Sequence, residues 1–334
     1  IRSVFLILIC ICILNALRIL SFNVWKSGTE VRDGLDKVVD HINAINPDIV
    51  ALQEAHKNFQ KLLLAKLGSK WSGVANCGGN TGIVTRHKFT GNFERVSAGM
   101  NMKIQISNGP VISVWSMHLH YLDFSLEGVL ANKTSEQLFE SEFRRARQIE
   151  ELMNFPEFIK QIENSQNVPV IVAGDFNTPS DLDWTEETRD IHSGHVIEWP
   201  ATKLLRTVAA MTDSFREVHP HPLVDPGVTW PVYKKDRDFK DPIDISKDRI
   251  DFIFYRGSLI ATESYSWAGN SELIDEYPGN GWKQNEFPSD HFALYTDFEI
   301  TTGMNTVSKP SFTKDSRYSI PFSELYPCDA KIVP

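Results

Sequence analysis

A surplus of basic residues is missing from this chain. Its 334 residues carry 34 Lys and Arg against 43 Asp and Glu, a formal net charge of −9. Long-range steering therefore does not favour a polyanion such as DNA, and only a local basic patch would. A membrane-spanning run is missing as well. The strongly apolar stretch "VFLILICICIL", residues 4–14, has 11 residues, short of the roughly 20 a helix needs to cross a bilayer core. It fits the h-region of a secretory signal instead, with Arg2 before it and Ala16 as the small residue ahead of cleavage. Residues 1–16 are thus expected to be a leader and the mature chain to be secreted; the competing reading is a buried first strand or an uncleaved anchor. Cysteine is scarce. Of the four, Cys10 and Cys12 would leave with the leader, so Cys77 and Cys328 remain, either joined in one disulfide or free. Asn132, in "NKT", is the one glycosylation sequon and matters only in a secreted chain. No internal repeat and no linker divides the sequence, and nothing in it calls for a stable protein partner; a monomer is expected.

With 42% hydrophobic residues, there is ample material for a large core. "LRILSFNVW" (17–25), "DIVALQE" (48–54), "PVISVWSMHLH" (110–120), "VPVIVAGDFN" (168–177), "RIDFIFYRG" (249–257) and "HFALYTDFEI" (291–300) read as strands. Most are near-continuous apolar runs, the pattern of strands covered on both faces. In "GLDKVVDHINAINP", Leu35, Val38, Val39, Ile42 and Ile45 fall at helical spacing and Pro47 stops the run. Residues 134–163 are helical in pattern, with Pro156 at a kink or boundary, and a long turn-rich stretch runs from "GDFN" to Lys247. Strands and helices mixed along the whole chain predict one α/β domain, residues 17–300, with two packed sheets and helices outside. The tail, residues 301–334, is rich in Ser, Thr and Pro and is expected to wrap the periphery or extend from it.

Several strands end in polar side chains: Asn23, Glu54, His118, Asp175, Asn177, Asp251, Asp290 and His291. Each has a plain explanation by itself. Asn23 would satisfy backbone groups at a strand end, one of His118 and His120 would be structural, and "PSDHF" would be a turn. Strand ends of one domain share a rim, however, and carboxylates, carboxamides and histidines converging there make a hard-cation site with acid–base partners. Oxygen ligands favour Mg²⁺, Mn²⁺ or Ca²⁺ over zinc.

The order of these elements, an asparagine strand, a "QE" strand end, "HLH", "GDFN", "RIDF" and "SDH", resembles the endonuclease/exonuclease/phosphatase superfamily of DNase I-like proteins. The resemblance runs from Leu17 to about Ile300, and "SDLDW" with "DSFREVHPHPLVDPGVTWP" is similar to secreted members of that superfamily. It implies a four-layer α/β sandwich of two mixed sheets flanked by helices, and a metal-dependent phosphoester hydrolase, more specifically a phosphodiesterase. By the same resemblance Glu54 matches the metal-binding glutamate, Asn23 the asparagine of the metal and phosphate site, and Asp290 a further metal position. His118 would contact phosphate or assist the leaving group, and Asp175 would activate or orient water. Asn177 would hold phosphate through its amide, and His291 would pair with an aspartate. "KDRIDF" offers both Asp248 and Asp251 for that pairing, and the setting favours Asp251. The implied substrate is a phosphodiester, in nucleic acid or in a phospholipid head group. A non-catalytic secreted binding protein on the same scaffold is the rival expectation.

Two departures stand out. Trp25, two residues beyond Asn23, lies where some abasic-site nucleases carry a further aspartate; Ser116 and Met117 differ from the Asn-Thr of neutral sphingomyelinases. Trp25, Tyr121, Phe124, Trp184 and Trp230 are aromatic candidates for the rim, with core packing the expectation for Trp184 and Trp230. Arg144, Arg145 and Arg147 are expected on a solvated helix face.

Overall fold

The computed structural model describes residues 16–76, 78–123, 128–129, 131–232, 247–269 and 285–301. Most of the expected leader, Cys77, Phe124, Cys328 and the C-terminal tail lie outside them. Among the described residues no helix is long and apolar enough to cross a membrane.

The strands are β1 (Ala16–Asn23), β2 (Ile49–Gln53), β3 (Ser72–Ala75), β4 (Gly82–Thr85), β5 (Lys88–Val96), β6 (Gly99–Gln105), β7 (Val111–His118), β8 (Val170–Asp175), β9 (Thr212–Asp213), β10 (Asp251–Arg256), β11 (Leu259–Trp267) and β12 (Ala293–Ile300). They form two six-stranded sheets, ordered β11-β12-β1-β2-β4-β3 and β5-β6-β7-β8-β10-β9. Both are mixed: β1 and β2 run parallel in the first sheet, β7 and β8 in the second, and the other described pairs are antiparallel.

Period-2 alternation sorts each strand between two cores. Leu17 and Ile19 of β1 meet Ile112 and Val114 of β7, and Ile171 and Ala173 of β8, between the sheets. Leu20 and Phe22 point the other way, onto α1 (Gly34–Ile45) and α2 (Lys57–Leu67) through Val38, Ile42, Phe59 and Leu63. On the far side Trp115, Val172 and Phe252 pack against Ile149, Phe158 and Leu205. The result is a helix–sheet–sheet–helix sandwich, the four-layer architecture expected from the sequence.

The helical pattern over residues 134–163 resolves into α3 (Ser135–Ser141), α4 (Phe143–Asn154) and α5 (Pro156–Glu163). Thr134 caps the first with a reciprocal capping box to Gln137. Pro156 opens the third at its first turn, where its missing N–H costs nothing. The stretch after "GDFN" is less irregular than the sequence suggested. It contains α6 (Pro200–Thr207) and α7 (Ser214–Val218), the latter capped by Asp213, whose carboxylate accepts from the Phe215 and Arg216 amides. Of the expected basic cluster, Arg145 is not solvated. It is fully buried, paired with Glu142, and donates to the carbonyls of His120, Leu122 and Asp123. A planar, permanently charged donor fork suits that carbonyl-rich turn better than solvent does.

Where β7 and β8 run side by side, Gly174 leaves no room for a side chain: a Cβ there would sit 2.0 Å from the Met117 carbonyl oxygen. Gly174→Ala should therefore force the two strands apart, and because Asp175 follows directly, it should disturb the rim as well. A stability loss of about 3 kcal/mol is expected, read as a lower urea midpoint; an unchanged midpoint contradicts the close approach.

Candidate active site

The alternation that builds the inter-sheet core also builds the rim. Asn23, His118, Asp175 and Asp251 share the parity of Ile19, Val114, Ala173 and Ile253, so they face the gap between the sheets one step past its apolar filling. Just beneath them lies a polar layer: Ser21 donates to Gln53, whose amide reaches Ser116 (3.3 Å). Strand register fixes the rest. His118 lies beside Asp175, and Asp175 beside Asp251.

Asp175 is the hub. Its Oδ1 accepts from the Asn177 backbone N–H at 2.8 Å, an Asx turn that explains the i, i+2 spacing of "GDFN". Its Oδ2 accepts from the Asn23 side-chain amide (2.9 Å) and faces Nε2 of both His118 (3.4 Å) and His291 (3.6 Å). Asn23 also reaches Glu54 Oε1 (3.3 Å), and its NH₂ lies 3.4 Å from His291 Nε2, a hydrogen bond only while that nitrogen carries no hydrogen. Asp251 Oδ2 lies 2.8 Å from His291 Nδ1, so Asp251 is the partner of His291. Asp248 is instead fully buried under the Trp184 indole N–H (3.0 Å). Asp175, Asp251 and His291 each bring a ligand-type atom within 4.8 Å of the others.

The two asparagines have partners within the protein. Asn23 turns its amide oxygen to the Trp25 backbone N–H (2.9 Å) and its NH₂ to the carboxylates, so it bridges the site as a donor. Asn177 uses its side-chain amide on the Leu119 carbonyl (3.1 Å), tying the Asp175 turn to the segment after β7 rather than pointing at a phosphate. Glu54 sits just past β2 in the left-handed region (φ 55°), after which the chain turns away. Its Oε2 accepts from the Lys26 backbone N–H (2.6 Å) and its carbonyl from Ser27 N–H (2.8 Å). Those amides point at Glu54 because Trp25, Lys26 and Ser27 are all left-handed (φ 43°, 50° and 62°). Each such residue costs about 1–2 kcal/mol, strain of the kind found at functional sites.

Sequence reasoning missed several supporting residues. Ser289 donates to the Asn23 carbonyl (2.6 Å) and accepts from the His291 amide (3.1 Å), so the serine of "SDH" locks the first and last strands together. Thr229 accepts from the Ile250 and Asp251 amides, and the Trp230 indole donates to Asp290 (3.3 Å) with its ring 6.5 Å from His291. Trp230 is therefore a rim residue, whereas Trp184 is core, as expected, stacked 4.2 Å from His192. Trp25 is core too, and Tyr121 is 66% exposed. Asn80, on the turn between β3 and β4, lies 2.9 Å from His118 Nδ1; it sits in a glycine-rich loop with no periodicity to flag it.

The charge of the site is unbalanced. Glu54, Asp175 and Asp251 have no Lys or Arg side-chain partner among the described residues, although Asp175 and Asp251 are each 1% exposed. Burial opposes a charged His291, but Asp251 and then Asp175 outweigh it and push its pKa up to about 10. Burial likewise raises Asp251, to about 6, against the pull of His291. One imidazolium does not neutralise three carboxylates. Three carboxylates beside two histidines in a partly buried rim fit a divalent cation, and the carboxylate oxygens favour a hard one.

A four-layer sandwich with a carboxylate–histidine rim at the end of its inter-sheet core is what the resemblance implied for a phosphoester hydrolase. Residues 20–291 match the Endonuclease/Exonuclease/phosphatase family. The uncharacterized protein F14F9.5 of Caenorhabditis elegans is 37% identical over 291 residues, 85% of this chain and 91% of the relative. C. elegans TDP2 superposes with a TM-score of 0.54 at 18% identity, over 86% of this chain and 76% of that one. D. rerio TDP2 complexed with single strand DNA product gives 0.53 at 18% identity, over 86% and 100%. The human Nocturnin catalytic domain with bound sulfate anion gives 0.52 at 17% identity, over 86% and 95%. This chain belongs to the endonuclease/exonuclease/phosphatase family and is a phosphoric ester hydrolase of that family, whose enzymes depend on divalent metal.

His291 also sets a pH dependence. Its folded-state pKa, about 10, lies above the ~6.5 of an unfolded histidine. Its contribution to stability is therefore complete below pH ~6.5 and is lost as pH rises toward 10, with a slope of up to about 1.4 kcal/mol per pH unit. Asp251→Asn removes the main attraction. Urea midpoints measured with chelator between pH 7 and 10 should fall with pH in the wild type and stay nearly level in the variant; parallel curves contradict the ion pair.

Proposed function

We propose that this protein is a secreted, divalent-cation-dependent phosphodiesterase that cleaves its substrate by one-step attack of water. The observation that carries the reading is the meeting of Glu54, Asp175, Asp251, His118 and His291 around Asn23 at the end of the inter-sheet core. A binding protein freed from catalysis has no need to keep both a histidine–aspartate pair and an unneutralised carboxylate rim.

Glu54, with Asp290 as the further carboxylate and Asn23 beside it, would hold the cation; the Asn23 amide also orients Glu54. A cation bound there, Mg²⁺ or else Mn²⁺ or Ca²⁺, would neutralise phosphoryl oxygens and lower the barrier to attack by a negatively charged nucleophile. Asp175 orients a water and takes its proton, since its Oδ2 is aimed at the centre of the cluster while Oδ1 is fixed by the turn. His291, held through Nδ1 by Asp251, turns its Nε2 to the site, where it donates to phosphate or takes a proton from water. His118 donates from the opposite side of Asp175.

Nucleic acid has a precedent on this fold in D. rerio TDP2 complexed with single strand DNA product. Tyr121, three residues past His118 and largely exposed, is available to stack on a base. The net charge of −9 weighs modestly against nucleic acid, and the lack of a long hydrophobic docking hairpin in the sequence weighs about as much against the second substrate, a phospholipid head group such as that of sphingomyelin. Secretion is supported by the apolar run at residues 4–14 and by the exposed position of Asn132 in its sequon.

Purified protein should hydrolyse bis(p-nitrophenyl) phosphate with Mg²⁺ faster than p-nitrophenyl phosphate, and chelator should abolish the activity. Glu54→Gln and His291→Ala should each reduce kcat by roughly 10²–10⁴. Turnover that ignores both chelator and His291→Ala refutes the mechanism. Single-stranded DNA, RNA, sphingomyelin vesicles and inositol phosphates, compared at several salt concentrations, separate the substrate classes.

A further inference from the structure

Two histidines face the same carboxylate oxygen through the same ring atom. His118 Nε2 and His291 Nε2 lie 3.4 Å and 3.6 Å from Asp175 Oδ2. Behind the rings they differ. Nδ1 of His291 meets the Asp251 carboxylate at 2.8 Å, and Nδ1 of His118 meets the Asn80 side-chain amide at 2.9 Å.

A carboxylate and a carboxamide make opposite demands on an imidazole. Asp251 accepts, so it favours a ring that carries hydrogen on Nδ1. For His118, an approach to Asp175 is attractive only with hydrogen on Nε2, and a neutral ring of that form has its lone pair on Nδ1. The Asn80 NH₂ is the matching donor. A second proton on His118 would set N–H against N–H unless the amide turned over, so the Asn80 amide as placed opposes the doubly protonated ring.

Asn80 is itself pinned. Its carbonyl accepts from Ala55 N–H (2.7 Å), the residue after Glu54, and the turn is closed by Asn76 N–H to the Thr81 carbonyl (2.9 Å). Asn76 also donates to Thr81 Oγ1 (3.2 Å). The side chain that backs His118 is therefore carried by the same backbone segment that follows Glu54.

We propose that Asn80 is a positioning residue that fixes His118 as the neutral Nε2–H tautomer, making it an uncharged hydrogen-bond donor to a phosphoryl or leaving-group oxygen. The two rings are thus backed differently: His291 by a carboxylate, His118 by an amide. The inference rests on the phosphodiesterase reading for its catalytic meaning, but not for its test.

Long-range ¹H–¹⁵N correlation spectra of ¹⁵N-histidine-labelled protein at neutral pH report tautomer and charge without substrate. His118 should show a protonated Nε2 and a bare Nδ1. Asn80→Asp, which keeps the shape and supplies a carboxylate, should protonate both nitrogens of His118. Asn80→Ala should give a mixture of tautomers and lower kcat on bis(p-nitrophenyl) phosphate by about 10–100-fold, the usual effect of losing the partner that orients a histidine, with KM little changed. A wild-type His118 that is doubly protonated or carries its hydrogen on Nδ1 overturns the proposal, as does an Asn80→Ala spectrum identical to wild type. Either result in an enzyme active on the diester leaves the phosphodiesterase reading standing, and an inactive wild type with the expected spectrum defeats that reading alone.

Discussion

An ionised carboxylate taken out of water costs several kcal/mol unless a counter-charge or enough donors meet it. This fold meets that cost in two different ways within a few residues of sequence. Asp183 is held by Arg249 (2.8 Å) and Arg216 (2.6 Å), and Arg249 also takes Asp213 (2.7 Å), all buried. Asp248, beside them, is pushed up to about 8 by burial and by repulsion from Asp183; with Asp248 protonated, two aspartates face two arginines and the set is electrically closed. Asp175, at the end of β8, and Asp251, two residues past Arg249 at the start of β10, receive no guanidinium among the described residues. Amides and histidines surround them, and the negative charge is left over.

That contrast separates scaffold from site. The closed network joins "SDLDW" after β8 to the residues that open β10, and so fixes the spacing between the strand ends that carry Asp175 and Asp251. The segment "GVTWP" adds a second tie, from Thr229 to the β10 entrance and from Trp230 to Asp290. With the supports neutralised and rigid, the open rim keeps its charge without collapsing onto a local cation. A site poised for an external divalent ion needs both parts.

Much of this was legible in the sequence, and the reason is geometric. Central strands such as "VIVAGD" and "DFIFYR" are apolar on both faces, so an abrupt polar residue at the end of each announces the rim. Edge strands were not legible. "KFTGNFERV" and "LIATESYSW" mix exposed polar with apolar positions and lack the uninterrupted run that marked the centre. The short helices after "GDFN" were hidden by their length, because five to eight residues barely complete two periods. Roles within the site were less legible than membership. Asn23 and Asn177 belong to the cluster, but which way an amide points depends on partners such as the Trp25 N–H and the Leu119 carbonyl, set by backbone turns that sequence spacing does not encode.

The position of Trp25 shows how such a turn substitutes for a side chain. An aspartate two residues past Asn23 would offer the site another carboxylate; here the Trp25 side chain is buried in the core beneath α1 and α2 and offers none. Burying that indole draws the backbone into a left-handed turn, with the Gly28 N–H returning to the Val24 carbonyl (2.7 Å). The same turn aims the Lys26 N–H at Glu54 and the Trp25 N–H at Asn23. Where a second carboxylate would add repulsion, one backbone N–H orients the acid already present and another the amide beside it. Apolar burial on one side of the turn thus offsets the strain that directs Glu54 on the other, and the orientation of its carboxylate rests on hydrophobic packing as much as on charge.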